Sequence, residues 1–149
     1  MANNTLEQME MGRVITEITV ENFNDLFDAK RGMIPAEKVR KLTIPNAIVD
    51  TGAAFLSLPA RMIQELGLSK AYTKRVTTSR GPADADVYSA VWLTIQGRSC
   101  TLDVMEVPDT VPPLVGQLPL EHLDFVVDPV RQRIIGNPEH GGEQMYDLL

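Results

Sequence analysis

The chain has 149 residues, 44% of them hydrophobic, with 14 Lys and Arg against 20 Asp and Glu for a formal net charge of −6. That is enough apolar side chain for one self-supporting core without disulfides or a structural metal, and an acidic chain with scattered basic residues excludes a phosphate-backbone footprint, so nucleic acid is not an expected partner. A single cysteine, Cys100, excludes an intramolecular disulfide framework, and no N-terminal apolar stretch reads as a signal peptide or membrane span, so no membrane partner is expected and the compartment is the cytoplasm.

Residues 1–12 are polar with scattered methionines and read as a flexible N-terminal segment; the domain proper is expected over 13–137, with 138–149 as a C-terminal tail. Strand-like runs bounded by Gly, Pro, Asn or Asp follow at Val14–Val20, Val39–Ile44, Ala47–Val49, Arg75–Thr78, Val87–Ile95, Cys100–Val107 and Phe125–Val127. Phe23–Lys38 is compatible with a loop, a strand extension or a substrate-facing insertion. Pro59–Gly67 has the marks of a short helix, with Pro at the first turn and Gly as C-terminal cap. Gln96–Ser99 and Asp128–Arg131 read as hairpin turns, the second closing Val126-Val127 on Ile134-Ile135. Many short strands with one or two short helices make an all-β barrel or sandwich.

Within this frame one stretch carries chemistry. Asp50-Thr51-Gly52-Ala53, led in by Ala47-Ile48-Val49 and followed by Ala54-Phe55-Leu56-Ser57-Leu58, presents a carboxylate on a tight turn between two apolar strands. Hydrolysis of a peptide by paired carboxylates needs two that share a proton, one taking a proton from water while the acid polarises the scissile carbonyl. Gly52 lets the backbone turn sharply and another main chain approach. Thr51 offers a hydroxyl for a partner's backbone across a two-fold axis, and Ala53 withholds a hydroxyl from the Asp50 carboxylate. No second Asp-Thr-Gly exists in the chain, so the other carboxylate must come from a second copy. Three letters alone are a weak signal. A second element supports them: Leu114-Val115-Gly116 after Pro112-Pro113, then a helix-like stretch with Leu120 and Leu123 three apart.

Together these motifs resemble a single-domain, retropepsin-like aspartic protease, in a cellular version, across Val14–Ile135. The resemblance implies an all-β acid-protease barrel that pairs as a two-fold homodimer, acting as an aspartic endopeptidase on a peptide or protein substrate with no cofactor and no metal. Asp50 matches the catalytic aspartate; Thr51 and Gly52 match the residues that lock the two loops at the dimer axis, and Ala53 the alanine many such enzymes carry. Leu114–Gly116 matches the strand behind the catalytic loop, Leu118–Asp124 the following helix, and Thr77–Ala83 the flap, making Gly52, Arg80, Gly81 and Pro82 its expected substrate contacts.

Blander readings stand beside these. His122, His140 and Cys100 fit no compact zinc spacing, Cys100 reads as a buried strand residue, and Trp92 as core or flap-base packing. Glu121 and Asp124 read as a polar helix face. The rival in function is a non-catalytic dimeric peptide-binding module that keeps the fold and uses Asp50 only for loop geometry; a monomeric relative awaiting a partner chain with its own Asp-Thr-Gly is a third.

Overall fold

A computed structural model describes residues 13–148; the N-terminal segment expected over 1–12 lies outside the described residues. Among the described residues, nine strands, three short α-helices and two 3-10 turns follow in the order β1 (Val14–Asn22), α1 (Phe23–Lys30), β2 (Lys41–Val49), β3 (Leu56–Pro59), α2 (Ala60–Leu66), β4 (Ser69–Thr78), β5 (Gly81–Ile95), β6 (Arg98–Val107), β7 (Leu114–Val115), α3 (Gln117–His122), β8 (Phe125–Asp128) and β9 (Arg133–Gly136). The 3-10 turns are Ala36–Lys38 and Pro138–His140. The principal sheet runs β1-β2-β7-β3-β6-β5-β4, and β5 also pairs with β1. The first six strands therefore close into a barrel, while β4 extends from β5 as the outer arm of a hairpin. The mostly-β architecture expected from the sequence is present.

The barrel closes because β5 changes partners along its length. Gly81–Ser89 pairs with β4, whereas Val91–Thr94 pairs with β1 on one side and β6 on the other. In β1, Val14, Thr16, Ile18, Val20 and Asn22 are buried, the period-2 signature of a strand with one face inward. In β2 that period is interrupted, since Ile44 and Ala47 are buried with exposed Pro45 and Asn46 between them. Opposite, only Glu17 separates Thr16 from Ile18, so β2 carries an extra residue and bulges there. Pro45, with no N–H to donate, falls at the bulge, and β2 passes through it as one strand rather than two.

The core inside the barrel includes Ile18, Val20, Leu58, Leu93, Ile95, Val104 and Val115, closed by Leu66 of α2 and by Leu120 and Leu123 from the α3 end. Trp92 is not part of it. Its neighbours Val91 and Leu93 point inward, so the indole lies on the outer face, its ring centroid 6.5 Å from that of Phe23. It covers α1, and the core reading of Trp92 is corrected on that ground.

The open segment Phe23–Lys38 resolves into α1 and the first 3-10 turn. Asn22 caps α1 by accepting from the Asp25 N–H at 3.0 Å, and its amide donates to the Leu66 carbonyl at 2.7 Å. Asp25, buried, receives Nε and Nη2 of Arg40 at 2.7 and 3.0 Å as well as the Arg40 N–H at 3.1 Å. Gly67 leaves room for the guanidinium in this position: a Cβ there would lie 1.8 Å from Arg40 Nη1. Gly67 also has φ of 63°, the left-handed conformation that ends α2.

Candidate active site

Asp50 is held by backbone alone. β7 lies between β2 and β3, parallel to the first and antiparallel to the second, so a two-residue strand braces both arms of the loop that joins them. Ile48 N–H donates to the Pro113 carbonyl at 3.0 Å and Asp50 N–H to the Val115 carbonyl at 2.9 Å, fixing the chain as it leaves β2. The turn is closed by Ala53 N–H on the Asp50 carbonyl at 3.1 Å, and Gly52 N–H donates to Asp50 Oδ1 at 2.9 Å. A Cβ on Gly52 would sit 3.1 Å from that oxygen, so glycine keeps the carboxylate approachable.

The far side of the loop is fastened to α3. Gly116 N–H donates to the Phe55 carbonyl at 3.0 Å, Gln117 N–H to the Ala53 carbonyl at 2.8 Å, and Leu118 N–H to the Ala54 carbonyl at 2.9 Å. The first N–H groups of α3, which no helix can satisfy internally, thus bind the loop carbonyls. Asp50, Thr51 and Gly52 remain exposed at the tip of this braced loop. Among the described residues the Asp50 carboxylate receives only the Gly52 N–H, and the Thr51 hydroxyl has no partner.

A cleft of about 790 Å³ opens beside the loop, between Gly52–Phe55, Ser57 of β3, Met105–Pro108, and the hairpin residues Lys74–Thr78 and Ala83–Asp86. The structure brings Gly52 and Ala53 to this cleft. Arg80, Gly81 and Pro82 lie at the hairpin tip, outside its lining, with Arg80 N–H donating to Thr78 Oγ1 at 3.1 Å and that hydroxyl to the Gly81 carbonyl at 2.8 Å. Gly81 has φ of 101°, which suits glycine. The flap-like hairpin is longer than the sequence suggests, since β4 starts at Ser69 rather than Arg75. Sequence reasoning did not single out Phe55, Lys74, Ser57 or Met105 as cleft residues. Tyr72, Lys74 and Val76 do not alternate in polarity with their neighbours, so no local pattern marks this face, which follows from the pairing of β4 with β5.

The remaining titratable groups serve other ends. Burial pushes the Cys100 thiol up to about 11, so it carries no thiolate for nucleophilic work. Asp124 is buried rather than part of a polar helix face. It sits at φ of 59° just past α3, where it accepts from His140 Nδ1 at 2.6 Å and from Met145 N–H at 3.0 Å. The His140 hydrogen bond holds the Asp124 carboxyl below its ordinary range, and the same bond raises the His140 imidazole. Arg98 donates to the carbonyls of Leu123, Asp124 and Gly142, and Tyr146 to that of His122, so the tail from Asn137 is fastened to the end of α3. Among the described residues, no helix is long and apolar enough to cross a membrane.

The braced Asp-Thr-Gly loop on a closed barrel defines an acid-protease domain. A family model described as aspartyl protease matches residues 34–135, which spans the loop, the hairpin and the α3 end. The chain belongs to that family, as a retropepsin-like aspartyl protease domain. Compared with curated proteins, the sequence has no match.

Proposed function

We propose that the protein is a homodimeric aspartic endopeptidase in which Asp50 and the Asp50 of a second copy activate the attacking water. The observation that carries this reading is the exposed Asp50 carboxylate on a loop braced from both sides by β7 and α3, with no second acid bonded to it. Two such carboxylates brought face to face cannot both ionise cheaply, so they share one proton. The ionised one takes a proton from water as the water oxygen attacks the scissile carbonyl carbon, while the protonated one gives its proton to the carbonyl oxygen. The tetrahedral diol then collapses: one carboxyl gives its proton to the amide nitrogen, the other carboxylate takes a proton from a diol hydroxyl, the C–N bond breaks, and acid and amine leave with the dyad again singly protonated.

Substrate lies extended in the cleft between the loop and the hairpin, with Thr51 bonding across the axis to the partner's loop and Arg80, Gly81 and Pro82 closing over it from the tip. The compartment is the cytoplasm, consistent with a lone buried thiol. The test is cleavage of a diverse peptide mixture by the wild type and by Asp50→Asn, followed by mass spectrometry. Cleavage by the first and none by the second, with both folded, supports the reading. Equal cleavage by a folded Asp50→Asn protein removes Asp50 from catalysis, and no cleavage by either leaves the fold serving as a peptide-binding module.

A further inference from the structure

A second, more apolar cavity of about 550 Å³ lies beside the cleft at the catalytic loop, and Phe55, Lys74 and Met105 belong to the walls of both. The second cavity is lined further by Tyr72, Val87, Leu102, Asp103, Leu118 and Pro119.

Strand pairing decides which hairpin residues share a face beside these cavities. Directly opposed residues share a face. Tyr72 lies opposite Val87, Lys74 opposite Ala85 and Val76 opposite Ala83, and Val87 is in turn opposite Met105 of β6. These residues share one face of the hairpin, apolar apart from Lys74 and the tyrosine hydroxyl, while Arg75, Asp84, Asp86 and Glu106 also line the cleft. The charged residues between them are already matched: Arg75 reaches Asp84 at 3.0 Å, while Lys70 and Thr73 reach Asp86 at 3.1 and 3.2 Å.

Lys74 is different. It forms no ion pair among the described residues, and Glu106 and Asp103 on β6 do not reach it. Its ammonium rests over the Phe55 ring, 4.8 Å from the centroid. An aromatic face at a solvent-accessible site holds a cation weakly and leaves its N–H groups free to donate. The cation stands in the wall that the two cavities share, beside the path of a chain leaving the catalytic loop along the hairpin.

We infer that Lys74 is a specificity-determining residue that takes a carboxylate side chain of the peptide, selecting substrates with Asp or Glu at one fixed position away from the scissile bond. The inference rests on the endopeptidase reading. Phe55 positions the ammonium, and the apolar cavity beyond accommodates the outward continuation of the same peptide.

The experiment cleaves one diverse peptide library with the wild type, Lys74→Met and Lys74→Glu, and aligns the cut sites. The wild type should enrich Asp and Glu at a single position, Lys74→Met should lose that enrichment, and Lys74→Glu should replace it with Lys and Arg. For matched peptides carrying Glu or Lys there, the ratio of kcat/KM should change about tenfold or more on charge reversal. The hairpin site is exposed, so both variants are expected to fold, and Lys74→Met alone decides the matter if the reversal does not. Cleavage with the same profile in all three proteins overturns the role of Lys74 and leaves the endopeptidase standing. No cleavage by the wild type removes the endopeptidase and this subsite with it.

Discussion

Gly116 lies directly against the main chain of Ala54: a methyl group at position 116 would stand 2.6 Å from the Ala54 carbonyl carbon and 2.7 Å from the Ala53 carbonyl oxygen. The contact is backbone on backbone, so no side chain can swing aside. It is also the contact through which α3 grips the catalytic loop, since Gly116, Gln117 and Leu118 all donate into Ala53–Phe55.

Gly116→Ala should therefore destabilise the fold by about 1–3 kcal/mol, the usual cost of forcing atoms into a packed site, and should lower peptide cleavage beyond what the unfolded fraction explains. Urea unfolding and kcat/KM at a temperature where the variant is folded measure the two effects. A variant as stable and as active as the wild type would mean that the loop and α3 part easily and do not fix Asp50.

The pairing of the Asp-Thr-Gly loop with a following apolar-apolar-glycine strand was legible because each demand is local: a turn needs its glycine, and a strand threaded between two others needs apolar residues. The α2 helix, with Gly67 as its cap, was legible for the same reason, as was the turn at Gln96-Gly97, both at positive φ. The α1 helix was not. Its anchor is Arg40, fifteen residues beyond Asp25, and no local pattern announces that clamp. Likewise Asp124 follows a helix and looks solvated until His140 and Met145 return to cover it. The first half of β4 is exposed on nearly every residue, so it lacks the alternation that marks a half-buried strand, and its existence depends on β5.

Thr51 separates subunit stability from assembly. Its exposed hydroxyl has no partner within the described chain, so Thr51→Ala should alter subunit unfolding by less than about 0.5 kcal/mol. If it bonds across the axis, the dimer dissociation constant should rise about thirtyfold, the equivalent of the two symmetry-related hydrogen bonds lost at about 1 kcal/mol each. Sedimentation equilibrium across the micromolar range reads the second quantity. A wild type that stays monomeric while cleaving peptide would exclude the two-copy dyad.

The Asp25–Arg40 clamp makes a one-sided demand. Removing the guanidinium with Arg40→Met leaves a buried carboxylate with only the Arg40 backbone N–H and should cost about 1–3 kcal/mol, less than for a fully buried pair because Arg40 is half exposed. Asp25→Asn should cost less, and the double variant less than the sum of the two. The hydrogen bonds from Arg40 lower the Asp25 carboxyl below its ordinary value of 3.8. Its contribution is therefore present above that pH and lost as pH falls through the lower folded value. Unfolding from pH 7 down to pH 2 should show wild type and Asp25→Asn converging at the acid end; a constant gap would deny the linkage.

The tail fastening titrates in the opposite direction. His140 is raised above its ordinary value of 6.5, first by its hydrogen bond to Asp124 and then by the nearby charges of Asp124, Asp147 and Glu139. A group whose folded value is raised gives stability that is fully present below the unfolded value and is lost as pH rises through the folded one. Asp124, lowered from 3.8, sets the acid edge, since its share disappears only as pH falls through its own reduced value. The gap in Tm between the wild type and His140→Ala should consequently be widest between those limits, near pH 5, and should narrow from about pH 6.5 upward. It should not close, because neutral imidazole can still donate from Nδ1 to Asp124. His140→Gln, which offers a donor without a titrating charge, should show a smaller gap with less pH dependence. A gap that widens between pH 6 and pH 9 would show that the imidazolium contributes nothing to holding the tail against α3.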